Sequence, residues 1–500
     1  MPSENRLHPA SILFGLVSQL REFAVPLILA VVAGSRGGNI DTVALVVLVP
    51  YTVVAMGRFY WFRYRFEPHE LVVRSGFIVR NERHIPYGRI QNLDAVQNVL
   101  HRAFDVVDVR VDTGSGAEAD ARLSVVTWEA YRTMRQHVFA GRQPEAAGAG
   151  PEALAGPRAD VLLDLPAREL VLHGLIENRG GIIIAGFMGL LVEAGVVDRV
   201  VDRFADDEQA GGSLRRFVAG LGSGGEPLWE RIALVALAGV ALLAVIRVLS
   251  VALALVRLHA FKVVRLDEDL RTEYGLLTRV SATIPLRRIQ TVTVTERLLH
   301  RLFRRASVRV DTAGGREGRA GARRHESLAP IIGAGQWPAF VRQVIPELDL
   351  SRVDWQPPAP GALARETRAR LILAALVSAP IVAFSTAWAL AAFAGFGGLA
   401  VLTANRYVAH LGWAVVDGAV LFRSGWLSRD LSIARFTRIQ SVAMRASPFD
   451  RRWSMARVSV DTAGAGTGSH RVDIPYLRQD VAADLHGSLS AAAARTAFQW

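Results

Sequence analysis

The sequence predicts an α+β membrane protein in which transmembrane helical hairpins alternate with three small β-barrel domains, each capped by a C-terminal helix. The chain has 500 residues and is 51% hydrophobic. Its charge is concentrated in some blocks and nearly absent from others, as in proteins that alternate membrane segments with soluble domains. The stretch 74–116 also recurs without a gap at 273–315 and 423–465. Repeats of this kind determine architecture, and they indicate three copies of one unit.

Apolar windows come in pairs, which predicts three helical hairpins. A bilayer core of about 30 Å requires about 20 helical residues per crossing. The third run is short for two crossings and must hold two short helices if it crosses twice. The windows are 14–34 with 42–57, 180–197 with 232–256, and the two halves of 371–404. Segments with helical spacing at His8, Pro166 and Thr367 precede them, and they predict a short interfacial helix before each hairpin.

Charge around the hairpins predicts the orientation. Paired spans return the chain to the side on which it started, so all three polar blocks lie on one face of the membrane. The loop 193–231 is net acidic, whereas the segment after the first pair of apolar windows, GRFYWFRYRF, is basic and aromatic. The positive-inside rule therefore places the polar blocks and the N-terminus in the cytoplasm of a multi-pass inner-membrane protein. The N-terminal apolar run is broken by Gln19, Arg21 and Glu22, which favours a retained anchor over a cleaved signal peptide.

Within each copy the pattern is that of antiparallel strands. A strand enters a tight turn at a glycine, where a positive φ carries no steric cost. Alternating strands follow, with the RIQ phrase as a third strand and VDT at the end of a later one, before a C-terminal helix. The shared signature residues are Gly76, Arg89, Gln91, Asp112, Thr113, Gly275, Arg288, Gln290, Asp311, Thr312, Gly425, Arg438, Gln440, Asp461 and Thr462.

These features give the predicted domain boundaries. The first interfacial helix and hairpin, the second such unit and the third hairpin occupy 1–57, 164–257 and 365–405. The three domains occupy 58–142, 258–350 and 406–492, and the Pro/Gly/Ala-rich linkers 143–163 and 351–364.

The order of Gly, RIQ and VDTAG, with membrane hairpins between copies and the opening RLHPASILFGLVSQLRE, resembles the bacterial pleckstrin-homology (PH) domains of YdbT-like membrane proteins. The resemblance covers nearly the whole chain. It implies a PH-like barrel in each copy, anchored at the membrane, and no defined reaction.

The arginine of RIQ has two interpretations. A guanidinium matches phosphate geometry, which suits a lipid head group. Alternatively, Arg89, Arg288 and Arg438 pair with Asp112, Asp311 and Asp461 of their own copies, always 23 residues later. That fixed interval favours the pairing inside each copy.

The sequence contains no constellation that would carry catalysis. Asp-Thr-Gly text resembles an aspartic-protease signature, but an aspartate that closes a turn at the end of a strand explains it more simply. His101 and His300 are equivalent, yet the third copy has Asp450 there, which argues against a shared metal or acid/base role. The chain lacks cysteine, a P-loop, HExxH and GxSxG. We therefore expect no enzyme activity, no catalytic or metal-binding residues and no cofactor.

Basic residues near the membrane are the candidate lipid contacts, because each is worth about 1 kcal/mol near an anionic surface. They could equally serve only to fix topology. The candidates are Arg58, Arg63, Arg65, Arg74, Arg80, Arg83, Arg279, Arg287, Arg304 and Arg305.

The predicted function is a non-catalytic, multivalent scaffold whose cytoplasmic domains bind anionic lipid head groups or protein partners, including further copies of the chain or another membrane protein. Nucleic acid is not expected as a partner. The alternative is a component of a transporter or exporter, or of resistance to membrane-active peptides. Transporters place ionisable groups near the bilayer midplane, and Arg247 is the main such residue in this chain.

Overall fold

The computed structural model describes residues 5–6, 61–76, 80–90, 92–112, 121–139, 159–177, 228–266, 269–312, 326–383, 385–462 and 472–495, with a few helical residues between 180 and 189. The first predicted hairpin, residues 193–227 of the acidic loop and Arg58 lie outside these residues.

Each copy forms the same series of elements. Three strands lead into a single 3-10 turn, which is followed by a fourth strand, a short helix, two more strands and a longer helix. In the first copy these are β2 (Arg63–Phe66), β3 (Glu70–Ser75), β4 (Asn81–Pro86), the 3-10 turn Tyr87–Arg89, β5 (Asn92–Asn98), α1 (Val99–Ala103), β6 (Val106–Asp112), β7 (Ala121–Thr127) and α2 (Trp128–Phe139), preceded by β1 (Asn5–Arg6).

The second copy is preceded by a strand and two helices, β8 (Ala159–Asp164), α3 (Ala167–Ile176) and α4 (Leu228–Arg257). Its own elements are β9 (Lys262–Leu266), β10 (Asp269–Tyr274), β11 (Thr278–Pro285), the turn Leu286–Arg288, β12 (Ile289–Glu296), α5 (Leu298–Leu302), β13 (Arg305–Thr312), β14 (Glu326–Gly333) and α6 (Trp337–Val344).

The third copy is preceded by α7 (Ala362–Ser378) and α8 (Thr386–Ala409). Its elements are β15 (Gly412–Val416), β16 (Ala419–Ser424), β17 (Arg429–Arg435), the turn Phe436–Arg438, β18 (Ile439–Arg445), α9 (Pro448–Arg451), β19 (Met455–Thr462), β20 (Val472–Arg478) and α10 (Gln479–Arg495).

The repeated glycine has the conformation that its position in the sequence predicts. Gly76, Gly275 and Gly425 have φ of 103°, 113° and 86°, which favours glycine strongly. A Cβ on Gly275 would lie well under 3.0 Å from the carbonyl oxygen of Thr278, and one on Gly425 equally close to that of Ser428. The turn therefore excludes a side chain for two reasons, backbone conformation and space.

The short helix after the fourth strand begins differently in each copy. Asn98 caps α1 by accepting a hydrogen bond from the His101 amide at 2.7 Å. Ser447 and Asp450 form a reciprocal capping box at α9, which satisfies two otherwise unpaired donors. Arg297 precedes α5 without a side-chain cap.

The strands of the described residues do not close into barrels, so the predicted barrel is wrong in this respect. β4 ends the first sheet, whose order is β1-β2-β3-β4. The second half of each of the first two copies instead continues into the first half of the next copy. The larger sheets have the orders β7-β6-β5-β11-β10-β9-β8 and β14-β13-β12-β17-β16-β15, and the last copy ends with β18-β19-β20.

The structure also corrects the place of the RIQ phrase. The arginine ends the 3-10 turn in each copy, and in the second and third copies the isoleucine begins the next strand. That strand is the fourth of its copy, not the third. The first strand of each copy was missed in the sequence. These strands, RYRF, KVVRL and GWAVV, are short and directly follow apolar segments.

The predicted linkers contain sheet-edge segments. β8 pairs with β9 at the edge of the second sheet, and β1 occupies the corresponding place beside β2. Gln356, in the second linker, forms an isolated bridge with Trp413 of β15. Each copy therefore acquires an edge segment from the chain that precedes it.

Apolar cores lie under each pair of half-sheets, and one of them crosses between copies. The core of the second copy, which contains Val292, Val308 and Phe340, also contains Leu421 and Ile433 of the third copy. Because the shared sheet is continuous, the two copies are packed as one unit there.

Two of the described helices are long and apolar enough to cross a membrane, judged by length and composition. They are Gly239–Arg257 within α4, with a mean hydropathy of 2.6, and Thr386–Ala409, with a mean hydropathy of 1.7. The run 371–404 is divided between two helices, because α7 ends at Ser378 and α8 begins at Thr386. That both of them cross a membrane stays a prediction. Gly397 of α8 faces Leu371 of α7, so the two helices pack against each other.

Candidate functional site

The copies are connected by two β-sheet joints with the same register. In joint one, β5 pairs antiparallel with β11, and Ala95 lies opposite Ser281. In joint two, β12 pairs antiparallel with β17, and Val294 lies opposite Leu431. Residues of different copies are equivalent when they lie equally far from Arg89, Arg288 or Arg438. By that measure the pair in joint two is equivalent to the pair in joint one, so one mode of docking is used twice.

A side-chain hydrogen bond is repeated at the joints as well. Arg102 donates to the carbonyl oxygen of Leu276 at 2.6 Å, and Arg301 donates to that of Trp426 at 2.8 Å. The two arginines are equivalent, and so are the two acceptors. Sequence reasoning missed these arginines, although their signal was present: Arg102, Arg301 and Arg451 each follow the arginine of RIQ by 13 residues.

Joint two also encloses polar groups. Thr295 donates from its hydroxyl to Oδ1 of Asp430 across the joint at 2.7 Å. Thr291, two residues after Ile289, donates to Oδ2 of Asp311 at 2.7 Å within the second copy. These side chains are buried or half-buried, and buried polar groups of this kind stabilise one register because a slip would leave them unpaired.

The short helices and the glycine turns carry large apolar side chains on the surface. Leu302 is 72% exposed and Phe449 is 65% exposed. We call this set the apolar turns. Its members are Val99, Leu100, Phe104, Leu276, Leu277, Leu298, Leu302, Phe303, Leu427 and Phe449.

In the second and third copies, members of the apolar turns lie beside the ends of α4 and α7. The amide of Leu276 donates to the carbonyl of Val256, in the last turn of α4, at 2.9 Å. Near the start of α7, Arg365 forms an ion pair with Asp450 at 3.2 Å, and its guanidinium lies 5.4 Å from the ring centroid of Phe449. If these helices cross a bilayer, the apolar turns lie where the helices leave it.

The predicted interfacial helix of the second copy, α3, packs along α4. A Cβ on Gly174 would lie 2.5 Å from Cα of Val251, so the backbones are in close contact. Arg247 donates from Nη1 to the carbonyl of Leu175 at 3.0 Å. Glu169 receives two hydrogen bonds of 2.9 Å from Arg305. These contacts hold α3 between α4 and the second copy.

Several of the predicted lipid-contacting arginines are paired with carboxylates. Arg65 pairs with Glu67, Arg74 with Glu82 at 2.9 Å, Arg279 with Glu273 at 3.7 Å and Arg305 with Glu169. The hydrogen bond from Arg305 to Glu169 raises the pKa of Arg305. Arg80, Arg83, Arg287 and Arg304 are exposed, and Arg63 is half-buried. Lipid contact by this set stays a prediction.

The pairing of each RIQ arginine with the aspartate of its own copy also stays a prediction. Arg89 and Asp112 lie at the end of the 3-10 turn and of β6, respectively, whereas Gln91 and Thr113 are outside the described residues. The remaining signature residues occupy equivalent places in the second and third copies. Burial lowers the pKa of Arg438, and so do the neighbouring charges of Arg435 and Arg287.

The position shared by His101 and His300 is buried, so these imidazoles are not accessible to a substrate. His300 is 2% exposed. Burial lowers its pKa to about 4, and the nearby His173 adds to that effect. In the third copy, burial works to raise the pKa of Asp450, but the hydrogen bonds from Ser447 and the charge of Arg365 outweigh it and keep that pKa below its ordinary value. Within the described residues, no group of three or more potential metal ligands occurs.

Repeated half-sheets that end in a C-terminal helix, together with long apolar helices, define a class of membrane-associated proteins built from PH-like domains. The sequence matches the family described as Bacterial PH domain over residues 17–141, 216–343 and 368–493. These matches cover more than half of the chain, so it belongs to that family. The predicted resemblance, with three copies, is confirmed.

One curated relative is the UPF0699 transmembrane protein YdbT of Bacillus subtilis (strain 168), which is 22% identical over 488 residues that cover 92% of each chain. No solved structure matches the chain significantly. The family matches begin ahead of the predicted domain starts at 58, 258 and 406. Those boundaries stay predictions.

Proposed function

We propose that this protein is a non-catalytic scaffold of the cell membrane, with its PH-like domains held as one array against the anionic lipid head groups of the cytoplasmic leaflet. The observation that carries the proposal is the set of apolar turns, of which Leu276 and Phe449 contact the end of α4 and the start of α7. In this arrangement α4 and α8 cross the inner membrane. The apolar second half of α7 and the 3-10 helix Ala379–Ala383 that follows it form the other, short crossing of the third hairpin. The domains then lie on its cytoplasmic side, as the charge distribution predicts.

Water is a poor environment for the apolar turns. Large exposed apolar patches mark surfaces that contact proteins or membranes, and transfer of apolar surface from water is worth roughly 25 cal/mol per Å². Leu298, Leu302 and Phe303 surround one short helix and point outward together. Their contact with the bilayer surface explains why the second copy exposes them.

Arginines flank this patch. Arg297 and Arg304, which directly precede and follow the Leu298–Phe303 segment, are exposed. An exposed arginine near an anionic leaflet contributes about 1 kcal/mol. Arg297 was absent from the predicted lipid contacts, and Arg305 was included although Glu169 binds its guanidinium. In this copy the proposal therefore keeps Arg304, adds Arg297 and leaves out Arg305.

The joints give the array its multivalency. Each copy alone would contribute a small apolar patch and one or two charges. Because shared sheets connect the copies, contact of one copy with the membrane holds the other copies close to the membrane surface. The weak contacts then add, without a further loss of translational and rotational freedom for each one. This is the property expected of a scaffold.

The geometry gives less support to transport. Arg247 is the ionisable residue on which the transport alternative rests. It donates to the backbone carbonyl of Leu175, which lies at the C-terminal end of α3. A cation suits that position because the end of a helix carries partial negative charge. The bond accounts for Arg247 without a transported substrate.

The depth of Leu302 tests the proposal. The chain has no cysteine, so Leu302→Cys can be labelled with an environment-sensitive fluorophore in the full-length protein in nanodiscs. Spin-labelled lipids should quench this probe, and more strongly with anionic than with neutral lipid. Arg352→Cys is the matched control, because its exposed side chain is paired with Asp349. Asp349 donates its amide hydrogen to Asp417, which lies in the turn between β15 and β16. This turn is at the opposite end of β16 from the glycine turn, so the probe at Arg352→Cys should lie away from the bilayer surface.

Equal quenching at both positions, or none at Leu302→Cys, would contradict contact between the apolar turns and the bilayer. A second variant, Arg297→Gln with Arg304→Gln, should reduce the difference between anionic and neutral lipid while leaving the quenching in neutral lipid unchanged. An unchanged lipid preference would remove the arginines from the proposal.

A further inference from the structure

The third copy presents the strand that forms a joint but has no strand beside it. β18 is equivalent to β5 and β12, and its only strand neighbour in the described part of the chain is β19. Gln290 and Thr291 are buried in joint two, at 4% and 2% exposure. Their equivalents Gln440 and Ser441 are exposed. The two side chains are exposed because no strand lies beside β18, while α10 of the same copy packs against this strand through Leu485 and Leu489.

The first copy presents the complementary edge. β4 is equivalent to β11 and β17, and it pairs only with β3 among the described strands. Its residues Asn81 to His84 are exposed, whereas the equivalent residues of β11 and β17 are half-buried, except Ile433, which is buried. One chain therefore carries both halves of a third joint, at its two ends.

The arginine of the joint is present in the third copy as well. Arg451 is equivalent to Arg102 and Arg301, which donate to the turn of the next copy. Its side chain is exposed. The acceptors of Arg102 and Arg301 lie one residue after the repeated glycine of the next copy, and the equivalent glycine of the first copy is Gly76.

We propose that β18 of one chain pairs antiparallel with β4 of a second copy, in the register of the two internal joints. Equivalence then places Arg445 opposite Asn81, Met444 opposite Glu82 and Ala443 opposite Arg83. The contact is heterologous, so it builds head-to-tail rings or rows in the membrane plane. It uses backbone hydrogen bonds at an exposed sheet edge, a common mode of association.

Side chains at this third joint are compatible. Arg445 and Asn81 occupy the places of Thr295 and Asp430, which bond across joint two, and a guanidinium can donate to the oxygen of an amide. Met444 lies opposite the carboxylate Glu82, which is already paired with Arg74. Charged side chains on an edge strand discourage indiscriminate pairing, and this pairing places no like charges opposite each other.

The membrane arrangement is compatible too. Both internal joints keep the short helices α1 and α5 in contact with the glycine turn of the next copy. A third joint of the same kind places α9 beside the glycine turn of the second chain, so both chains keep their apolar turns on the same side. A second copy in the same bilayer satisfies this condition without reorientation.

Disulfide crosslinking in native membranes tests the register. Two differently tagged full-length chains, one with Asn81→Cys and one with Arg445→Cys, are produced together and oxidised. We expect one crosslinked species that carries both tags. Asn81→Cys with Ser441→Cys is the off-register control and should crosslink at least tenfold less, because four strand residues span about 13 Å. Crosslinks of equal yield for the two pairs would overturn the register.

The double variant Asn81→Cys with Arg445→Cys in a single chain distinguishes the possible partners of β18. Ladders of multiples of the chain mass support association of copies. A crosslink within one chain, or a crosslink only to a different protein, would overturn the proposal.

Removal of the arginine gives an independent measurement. Arg451→Ala should weaken association about tenfold, as loss of a hydrogen bond from a charged donor does, measured by energy transfer between labelled chains at low density in vesicles. Arg452→Ala, also exposed but not equivalent to Arg301, is the matched control and should change nothing. Equal effects of the two variants would contradict the joint. The measurement does not depend on lipid contact, because it can be made in neutral lipid.

Discussion

Replacement of Gly275 by alanine should open the hairpin of β10 and β11 while leaving the rest of the chain intact. Gly275 connects these two strands and has a φ of 113°. Backbone conformations outside the favoured regions cost about 1 to 3 kcal/mol for residues with a side chain. The added Cβ would also overlap the carbonyl of Thr278, so the hairpin turn must widen.

These two effects together predict a local loss of about 3 kcal/mol, which corresponds to roughly a hundredfold increase in the opening equilibrium. Two control glycines separate the causes. Gly418 has a positive φ of 73° but open space around the missing Cβ, whereas Gly335 has open space and no positive φ. We expect about 1 kcal/mol for Gly418→Ala and less than about 0.5 kcal/mol for Gly335→Ala.

Hydrogen exchange of the full-length protein in nanodiscs, followed by mass spectrometry, measures the opening. Amides of Asp269–Pro285 should exchange about a hundredfold faster in Gly275→Ala, and amides of β19 should be unchanged. If Gly275→Ala exchanged no faster than Gly335→Ala, the turn would tolerate a side chain, and backbone conformation and space would no longer explain the repeated glycine.

Three further predictions follow from buried polar contacts. The pKa of His300 is lowered in the folded state, so the folded protein resists protonation of this side chain, which the unfolded chain accepts below about pH 6.5. The stability present above about pH 6.5 is therefore lost as the pH falls towards 4. His300→Leu should flatten the dependence of the thermal unfolding temperature on pH in this window. Arg305→Lys loses the two-pronged contact with Glu169, so exchange of Ala167–Ile176 amides should accelerate roughly tenfold, and an unchanged rate would assign α3 to packing alone. Thr295→Val leaves the carboxylate of Asp430 without its donor, and joint two should weaken by about 1 to 3 kcal/mol, seen as faster exchange in β17 but not in β11.

Sequence reasoning succeeded where the signal was local. The glycine turns were predicted because a positive φ and a tight reversal leave a mark at one position, and the structure shows that conformation at Gly76, Gly275 and Gly425. Length alone required two short helices in the run 371–404 if it crosses the membrane twice, and the structure has two helices there. The three copies were visible because equal spacing between glycine, arginine and aspartate needs no knowledge of contacts.

Sequence reasoning was less successful with side-chain partners. Arg305 and Arg247 were read from their charge and their position in the chain. The structure shows that a carboxylate and a carbonyl of α3 occupy them. Both partners are more than 70 residues away in the chain, and no periodicity predicts such a contact. Arg102 and Arg301 were overlooked for the opposite reason, since nothing in their immediate surroundings marks them as the donors at a joint.

The sequence by itself determined that this protein consists of three copies of one unit, that each copy reverses at a glycine and that apolar helices separate the copies. Tertiary structure alone decided that the units share sheets instead of closing as separate barrels. The physical reason is that alternation along a strand shows which face is buried, whereas hydrogen bonds at its edge come from backbone groups that every residue carries. An edge therefore accepts many strands, and only packing in three dimensions selects which one lies beside it.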